Sequence, residues 1–255
     1  MEDKFENKQF KDNRLEDFMI PYYDPSKEER YIDYKSKISN CFWDEAITFV
    51  NIGLDQEFYT NIKRIKNPAS LTVLVNKYNQ LGEDFIPEDL EVIAPNFNHG
   101  ELKLRHDARL AFEAMCLDAE TYDLHLEAIS TFRSFNYQEQ IYYKNLTSEI
   151  TMEEYQKERD RVSARPGHSE HQTGLAVDIN DLEQTFEETS EGRWLARNSY
   201  KYGYLLRYPK GKERITGYDY EPWHYRYLGK ELAMKVHLSK LTYDEYYVRC
   251  FMWRI

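Results

Sequence analysis

The sequence predicts an α+β fold, and two observations support this prediction. Segments with helical periodicity interleave with short apolar segments of strand length along the 255 residues. They do so without the regular strand–helix–strand rhythm of a doubly wound sheet, and the chain contains no internal repeat. We therefore expect helices packed beside a small sheet.

Each predicted element follows from its apolar pattern and from the turn residues that bound it. The clearest helix spans residues 104–128, because Ala108, Phe112, Met115 and Cys116 recur at three- and four-residue steps on one face. The other predicted elements are, in chain order, a helix that turns at Gly53, a strand or short helix at 70–81, an extended piece at 87–93, a strand end at 128–135, a helical segment at 137–162, a strand at 175–179, a helix that ends at Gly203, short strands at 204–209 and 220–229, and a helix-rich segment at 230–253.

The composition disfavours several classes of protein. The formal net charge is −11, which argues against a nucleic-acid partner, because phosphate contacts need clustered Lys and Arg. No apolar run approaches the ~20 residues of a membrane-spanning helix. The first residues, MEDKFENKQFKDNRLEDF, are charged and lack the apolar core of a signal peptide.

The cysteines predict neither a disulfide framework nor a cysteine zinc site. Cys41, Cys116 and Cys250 lie far apart and show no Cys-x-x-Cys spacing. An odd number leaves at least one free thiol or one intermolecular bridge. We expect buried, inert thiols.

Asp178 is an unusual residue for its place in the chain, because it lies inside the short apolar strand 175–179. Strand side chains alternate between two faces, so Leu175, Val177 and Ile179 share the face that packs on the core. On the other face, the small residues beside Asp178, Gly174 among them, are expected to leave open space. A dication in that space would remove the cost of a buried, unpaired carboxylate.

Histidines complete the predicted metal site. His171 lies upstream of Asp178, and His224 in the segment 219–227 would supply a third ligand. His168 is an alternative to His171, because His-x-x-His is also a ligand spacing. Two imidazoles, one carboxylate and an open fourth position are typical of a catalytic zinc site.

Glu221 is the candidate general base, because it lies three residues before His224 and three residues span at most about 10 Å. Pro222 disfavours a helix interior here, and Trp223 offers an apolar anchor for the segment. Zinc lowers the pKa of a bound water toward about 7. Glu221 would take that proton and pass it to a leaving amine.

Two further arginines are expected outside this site. Arg207 and Arg226 lie in short aromatic strands, the latter beside Tyr225. Arg207, Tyr225 and Arg226 could line a cleft. The pattern favours sheet-packing aromatics with solvated charges.

A family resemblance is carried by two stretches, SEHQTGLAVDI at 169–179 and EPWH at 221–224. They resemble the zinc D-alanyl-D-alanine carboxypeptidases of the VanY type, which include L,D-carboxypeptidases of the LdcB type. The family pattern is Ser-x-His, Gly-x-Ala-x-Asp and Glu-x-Trp-His, which here falls on Ser169, His171, Gly174, Ala176, Asp178, Glu221, Trp223 and His224. The stretch STFRSFNYQEQ adds the family's aromatic-Arg-Ser segment followed by Gln, and the resemblance covers roughly residues 70–235.

The resemblance implies a VanY or hedgehog-like zinc peptidase fold, in which helices flank a small, mainly antiparallel sheet and one Zn²⁺ lies on the sheet face. It implies removal of the C-terminal D-alanine from peptidoglycan stem peptides. The implied zinc ligands are His171, Asp178 and His224, and the implied base is Glu221; His168 falls outside the family pattern.

The resemblance also implies substrate contacts. Arg133 would stabilise the oxyanion or bind the terminal carboxylate, for which a guanidinium is a planar, bidentate partner. Gln138, Ser169 and Trp223 are expected to line the substrate site, with Ser169 orienting a ligand or touching substrate instead of acting as a nucleophile.

Several alternatives stay open on the sequence alone. An L,D-carboxypeptidase, a peptidoglycan endopeptidase and a zinc-stabilised cell-wall binding module without turnover fit the same pattern. We expect a monomer with muropeptides as partners, located outside the cell or at its envelope, although the absence of a signal-like segment leaves a cytoplasmic role open. We expect residues 1–66 to form a partly flexible N-terminal segment of unknown role, and residues 67–255 to form the catalytic domain.

Overall fold

Helices and short strands alternate irregularly along the protein, in a computed structural model that describes residues 20–252. The helices are α1 Glu28–Lys37, α2 Trp43–Ile52, α3 His106–Glu120, α4 Phe135–Tyr143, α5 Met152–Arg159, α6 Ser190–Asn198, α7 Glu213–Thr216, α8 Lys230–Ser239 and α9 Tyr243–Cys250. The strands are β1 Lys63–Arg64, β2 Asn79–Gln80, β3 Leu90–Val92, β4 Lys103–Arg105, β5 Ala128–Ser130, β6 Ala176–Ile179, β7 Tyr204–Leu206 and β8 His224–Tyr227.

The central sheet has four strands in the order β5-β6-β8-β7, and each neighbouring pair is antiparallel. Two small pairs lie apart from it: β1 with β2 is parallel, and β3 with β4 is antiparallel. This arrangement confirms the predicted α+β class.

The main core lies between α3 and one face of the central sheet. Ala108, Phe112, Met115 and Cys116 of α3 are fully buried, as their spacing predicts. They pack in one cluster with the apolar face of β6. Full burial of each large apolar side chain stabilises the fold by about 1.5–3 kcal/mol, so this contact fixes the position of β6.

Three predicted elements differ from the structure in extent. The helix predicted for 104–128 ends at Glu120, because the chain reverses through a turn in which Asp123 has φ 56° before it enters β5. The segment 137–162 forms two helices instead of one, since Thr151 begins α5 with a capping box to Glu154. The segment 70–81 is mostly turn, with β2 at its end.

Two helices lie in the segment before residue 67. They share a small core of buried aromatic and aliphatic side chains, and α2 also packs against α9, where Arg249 Nε donates to Thr48 Oγ1 over 2.9 Å. The helix predicted to turn at Gly53 does so, with Gly53 in the left-handed region at φ 113°. The division at residue 66 stays a prediction, and the first 19 residues of that segment lie outside the described residues.

No helix within residues 20–252 has both the length and the apolar character needed to cross a bilayer. The three cysteines are free thiols, and Cys41 and Cys116 are buried, as expected.

Candidate metal centre

Strand pairing brings two distant side chains together. In the register of β6 with β8, Asp178 lies directly opposite His224, although 46 positions separate them in the chain. Leu175, Val177 and Ile179 point into the core with α3, as the strand alternation predicts. Asp178 and His224 therefore share the opposite face of the sheet, and both line a cavity.

His171 reaches the same place from a short 3₁₀ turn, Glu170–Thr173. Ser169 begins this turn, and its hydroxyl accepts a hydrogen bond from the backbone N–H of His171. The His171 ring is fixed by its Nδ1, which lies 2.7 Å from the backbone oxygen of Thr131. Since a carbonyl can only accept, Nδ1 carries the proton and Nε2 presents a lone pair to the sheet face.

His171, Asp178 and His224 form what we call the metal cluster. Each offers a ligand atom, and these atoms all lie within 4.8 Å of one another. His171 Nε2 lies 3.2 Å from one carboxylate oxygen of Asp178, and His224 Nδ1 lies 3.0 Å from the other. Zinc–ligand bonds in a tetrahedron place neighbouring ligand atoms about 3.3–3.6 Å apart, so the spacing fits one ion.

Unpartnered polar atoms support the same conclusion. His171 Nε2 and Asp178 Oδ1 are buried and have no hydrogen-bond partner among residues 20–252. Leaving such groups unpaired in an apolar surrounding is costly, whereas a cation would satisfy both. The donor set, two imidazoles and one carboxylate, suits zinc.

The electrostatics of the cluster are dominated by burial and by its own charges. Burial and the nearby Arg133 lower the pKa of His171 to about 4. Burial lowers the pKa of His224, but the surrounding carboxylates outweigh it and raise the value to about 9. Burial would raise the pKa of Asp178, yet the two histidines hold it well below its usual value. The metal cluster thus holds an ionised carboxylate, the species that binds a cation.

A cavity of about 320 Å³ opens in front of the metal cluster. Glu221 lies on its wall with a carboxylate oxygen 3.7 Å from His224 Nδ1, and burial raises the pKa of Glu221 to about 7. Arg133 lies on another wall with Nη2 3.7 Å from Asp178 Oδ2. Its Nε has no partner in the described part of the chain, which leaves the guanidinium able to bind an anion in the cavity.

The remaining predicted substrate contacts also face this cavity. Gln138, Ser169 and Trp223 line it. Gln138 is held by its Nε2, which donates to the backbone oxygen of Ala164 over 2.8 Å. Its Oε1 is buried and unpartnered within residues 20–252, so it is an acceptor that a ligand could satisfy.

One expectation about a neighbouring residue is corrected, and one alternative ligand is excluded. Gly174 does not leave open space: a Cβ there would lie 2.8 Å from a Leu90 methyl carbon. The turn requires Gly174 because its φ is 66° and because Leu90 and Arg105 pack against it. His168 lies outside the metal cluster, with Nδ1 2.8 Å from the backbone oxygen of Asn76.

The predicted solvated charges of Arg207 and Arg226 are also wrong. Both side chains are at most 1% exposed, and neither they nor Tyr225 line the cavity. Arg207 Nε and Arg226 Nη1 donate to the same oxygen of Glu170, over 2.8 and 2.9 Å. Arg207 Nη1 also donates to Asp244 in α9 over 2.6 Å. We call Glu170, Arg207, Arg226 and Asp244 the charge network.

One weak signal for the charge network is present in the sequence: each arginine lies in a short aromatic strand, where a charged side chain has few positions open to solvent. Glu170 lies between the predicted site residues Ser169 and His171, but the sequence does not show which way its side chain points. Asp244 gave no signal, because an acid in the first turn of a helix is ordinary.

A family comparison agrees with this geometry. The profile described as VanY, D-alanyl-D-alanine carboxypeptidase, matches residues 101–230, which is just over half of the chain. The chain belongs to the VanY family. YodJ of Bacillus subtilis (strain 168), provisionally named a carboxypeptidase, is 37% identical over 210 residues, a match that covers 76% of this chain and 75% of that VanY relative.

Solved structures place the fold in the same VanY group. The LD-carboxypeptidase LdcB is 35% identical with a TM-score of 0.68, over 76% of this chain and 92% of that chain. VanYB in complex with D-alanine-D-alanine is 31% identical with a TM-score of 0.59, over 69% and 96%. A mutant of the D,D-pentapeptidase VanY in complex with Zn(II) is 32% identical with a TM-score of 0.58, over 69% and 97%. These peptidase relatives favour an enzyme over a wall-binding module.

Proposed function

We propose that the protein is a zinc-dependent D-alanyl-D-alanine carboxypeptidase that removes the C-terminal D-alanine from peptidoglycan stem peptides. The observation that carries the proposal is the metal cluster itself, three buried ligand atoms within 4.8 Å of one another at the base of a cavity. His171, Asp178 and His224 would hold one Zn²⁺ per chain. Zinc supplies Lewis acidity, which polarises a carbonyl group and makes a water molecule more acidic.

Glu221 would handle the proton in the cleavage step. A water oxygen adds to the carbonyl carbon of the last peptide bond, and Glu221 accepts the proton that the water loses. When the carbon–nitrogen bond breaks, Glu221 donates this proton to the departing amine of D-alanine. Burial supports this role, because it raises the pKa of Glu221 to about 7, close to the pKa of a group that both accepts and donates a proton near neutral pH. A bound dication would lower the pKa of Glu221 again.

Arg133 would bind negative charge in the same step. Its guanidinium lies on the cavity wall and faces Asp178. From there it would stabilise the oxyanion that develops on the carbonyl or bind the terminal carboxylate. The unpartnered oxygen of Gln138, with Ser169 and Trp223 nearby, would hold the rest of the terminal residue.

A second candidate is an L,D-carboxypeptidase that acts on tetrapeptides. The observation that favours it is the higher TM-score with LdcB, 0.68 against 0.58–0.59 for the two VanY structures. Both reactions would use the same proposed residues, so the cavity walls would decide between them.

Defined stem peptides test the proposal. The purified protein, with its zinc content measured, is incubated with a pentapeptide ending in D-Ala-D-Ala and with the tetrapeptide that lacks the last residue, and the released products are identified by mass. We expect D-alanine from the pentapeptide, and loss of this activity after chelation with recovery on added zinc. Release from the tetrapeptide alone would establish the second candidate, and the absence of zinc and of any release would overturn both.

A further inference from the structure

Each histidine of the metal cluster uses one ring nitrogen toward Asp178 and turns the other away. For His171, the second nitrogen faces the backbone oxygen of Thr131 at 2.7 Å. For His224, the second nitrogen is Nε2, and it faces Glu170 Oε2 at 3.7 Å. A histidine that binds a metal generally donates its other N–H to a carbonyl or a carboxylate, which fixes the tautomer and the ring orientation.

Glu170 Oε2 and His224 Nε2 are both orphaned atoms. Each is buried, and neither has a hydrogen-bond partner within the described part of the chain. The Glu170 side chain is fully buried, so solvent water has no access to compensate either atom. A shift of a few tenths of an ångström would bring the two atoms into hydrogen-bond distance.

The other oxygen of Glu170 is fully used. Oε1 accepts from both Arg207 and Arg226, and Arg226 also donates to the backbone oxygens of Leu71 and Val73 over 3.0 and 2.8 Å. The carboxylate is therefore held in one orientation, with Oε2 directed at His224. Two buried carboxylates and two buried guanidiniums make the charge network electrically balanced.

The charge network extends beyond the family-matched segment. Asp244 lies in α9, after residue 230, and its second oxygen accepts from Asn76 Nδ2 over 2.8 Å. Leu71, Val73 and Asn76 lie before residue 101. His224 is thus supported from two segments on either side of residues 101–230.

We infer that Glu170 is a positioning residue for metal binding: it accepts the Nε2 proton of His224, so that the Nδ1 lone pair of His224 is directed at the metal. The charge network keeps Glu170 in the required orientation. This inference rests on the proposed metal site, and it assigns to Glu170 a role in how tightly that site holds Zn²⁺.

Glu170→Gln is the decisive variant. Its amide oxygen would be kept by the two arginine donors, so its NH₂ group would face His224 Nε2. Two donors cannot bond each other, which favours the tautomer with the proton on Nδ1, the nitrogen that must bind the metal. Asp244→Asn is the matched control, because it removes one negative charge from the same network without facing His224.

Zinc affinity is measured for the parent and both variants by competition with a fluorescent chelator, after circular dichroism shows that each is folded. We expect Glu170→Gln to weaken zinc binding about 10–100-fold and Asp244→Asn to stay within about threefold of the parent. Equal losses in the two variants, or parental affinity in Glu170→Gln, would overturn the inference. A parent that binds no zinc would instead refute the proposed function.

Nitrogen-15 NMR of the histidine rings gives a second readout that needs no folded Glu170→Gln. In the zinc-loaded parent we expect a slowly exchanging proton on His224 Nε2. A spectrum with the proton on Nδ1, or with an Nε2 proton that exchanges as fast as that of an exposed histidine, would contradict the role of Glu170 even if the variant failed to fold.

Discussion

Two buried polar regions meet at His224 and differ in how far their polar atoms are satisfied. On one side of the ring, the metal cluster faces a cavity and contains nitrogen and oxygen atoms that have no hydrogen-bond partner within residues 20–252. On the other side, the charge network lies away from the cavity, and its two arginines are bound by carboxylates and backbone oxygens. Burial is equally deep in both regions, so burial alone does not distinguish a reactive site from a supporting one.

The difference lies in charge balance and access. The charge network pairs two carboxylates with two guanidiniums, and Glu170 Oε2, which has no hydrogen-bond partner within residues 20–252, faces the His224 ring. The metal cluster and the adjacent Glu221 contain two carboxylates, and Arg133 is the guanidinium beside them. Incomplete pairing beside a cavity therefore supports this place as the proposed site of the cation and the substrate. The following experiments test this distinction, starting with the largest expected effect.

Glu221→Gln should lower the rate of D-alanine release by about 10²–10⁴-fold, because the amide cannot accept a proton from water. Zinc binding should stay at the parental level, since His171, Asp178 and His224 are unchanged. Release kinetics and the zinc content of the same preparation check both parts. Asp219→Asn, two residues away on the same loop, is the control and should keep most of the activity; equal loss in both variants would remove the special role of Glu221.

Arg207→Met should lower the free energy of unfolding by about 3–5 kcal/mol, because it leaves Asp244 and Glu170 short of a counter-charge in the interior. Arg161→Met is the comparison, since Arg161 is 63% exposed in its pair with Asp219; we expect about 0–1 kcal/mol there. Denaturant unfolding of both variants in the presence of chelator measures the two costs. Similar small losses would mean that the charge network does not stabilise the fold.

Zinc should stabilise the protein by about 2.7 kcal/mol when its free concentration is one hundred times the dissociation constant. Asp178→Asn should lose this gain, because it removes the charged ligand from the metal cluster. Thermal unfolding with and without zinc measures the gain. Glu221→Gln serves as the control that keeps it, and an undiminished gain in Asp178→Asn would place the ion elsewhere.

Lys77 is a buried cation that contacts aromatic rings and a backbone oxygen. Its side chain packs against aromatic rings, with Nζ 3.9 Å from the ring centre of Tyr218, and it donates to the backbone oxygen of Asp160 over 2.5 Å. Within residues 20–252, Lys77 forms no ion pair with a carboxylate, and burial lowers the pKa of Lys77 to about 7. Lys77 thus differs from Arg207, whose guanidinium donates to two carboxylates.

Lys77 should therefore make stability depend on pH. Between about pH 7 and 9 the folded state has released the Lys77 proton while the unfolded chain still holds it, so the free energy of unfolding should rise with pH, by at most about 1.4 kcal/mol per unit. Lys77→Met should flatten this rise. Denaturant unfolding of parent and variant at pH 7, 8 and 9 gives the slopes, and parallel slopes would contradict the effect.

Part of the metal cluster follows from the sequence by physical argument, and the role of its three residues as ligands stays a prediction. Alternation in a strand places Asp178 opposite to its apolar neighbours, and His171 lies close before it in the chain. His224 lies 46 positions after Asp178, and its place in the cluster is what the family resemblance implies. Glu221 lies three residues before His224, so the length of the chain between them alone keeps the two side chains close together. The constraints on Asp178, His171 and Glu221 are local, and a single sequence records them.

The charge network could not be predicted in the same way. Whether Arg207 or Arg226 is solvated depends on Glu170, which lies 37 and 56 positions away in the chain. The same holds for Gly174, where the sequence showed a residue without a side chain but not the Leu90 side chain that packs against it. The predicted end of α3 is wrong for a similar reason. Leu124 and Leu126 continue the apolar pattern of the helix, although the helix ends at Glu120.

The register of β6 with β8 has a consequence for refolding. Because successive residues of a strand point to opposite faces, a slip of one position would turn His224 away from Asp178. The time at which zinc binding appears during refolding from denaturant therefore reports when these two strands have reached the correct register. If helix content, followed by circular dichroism in the same experiment, recovers before zinc binding does, the chain passes through a state in which these strands are not yet aligned.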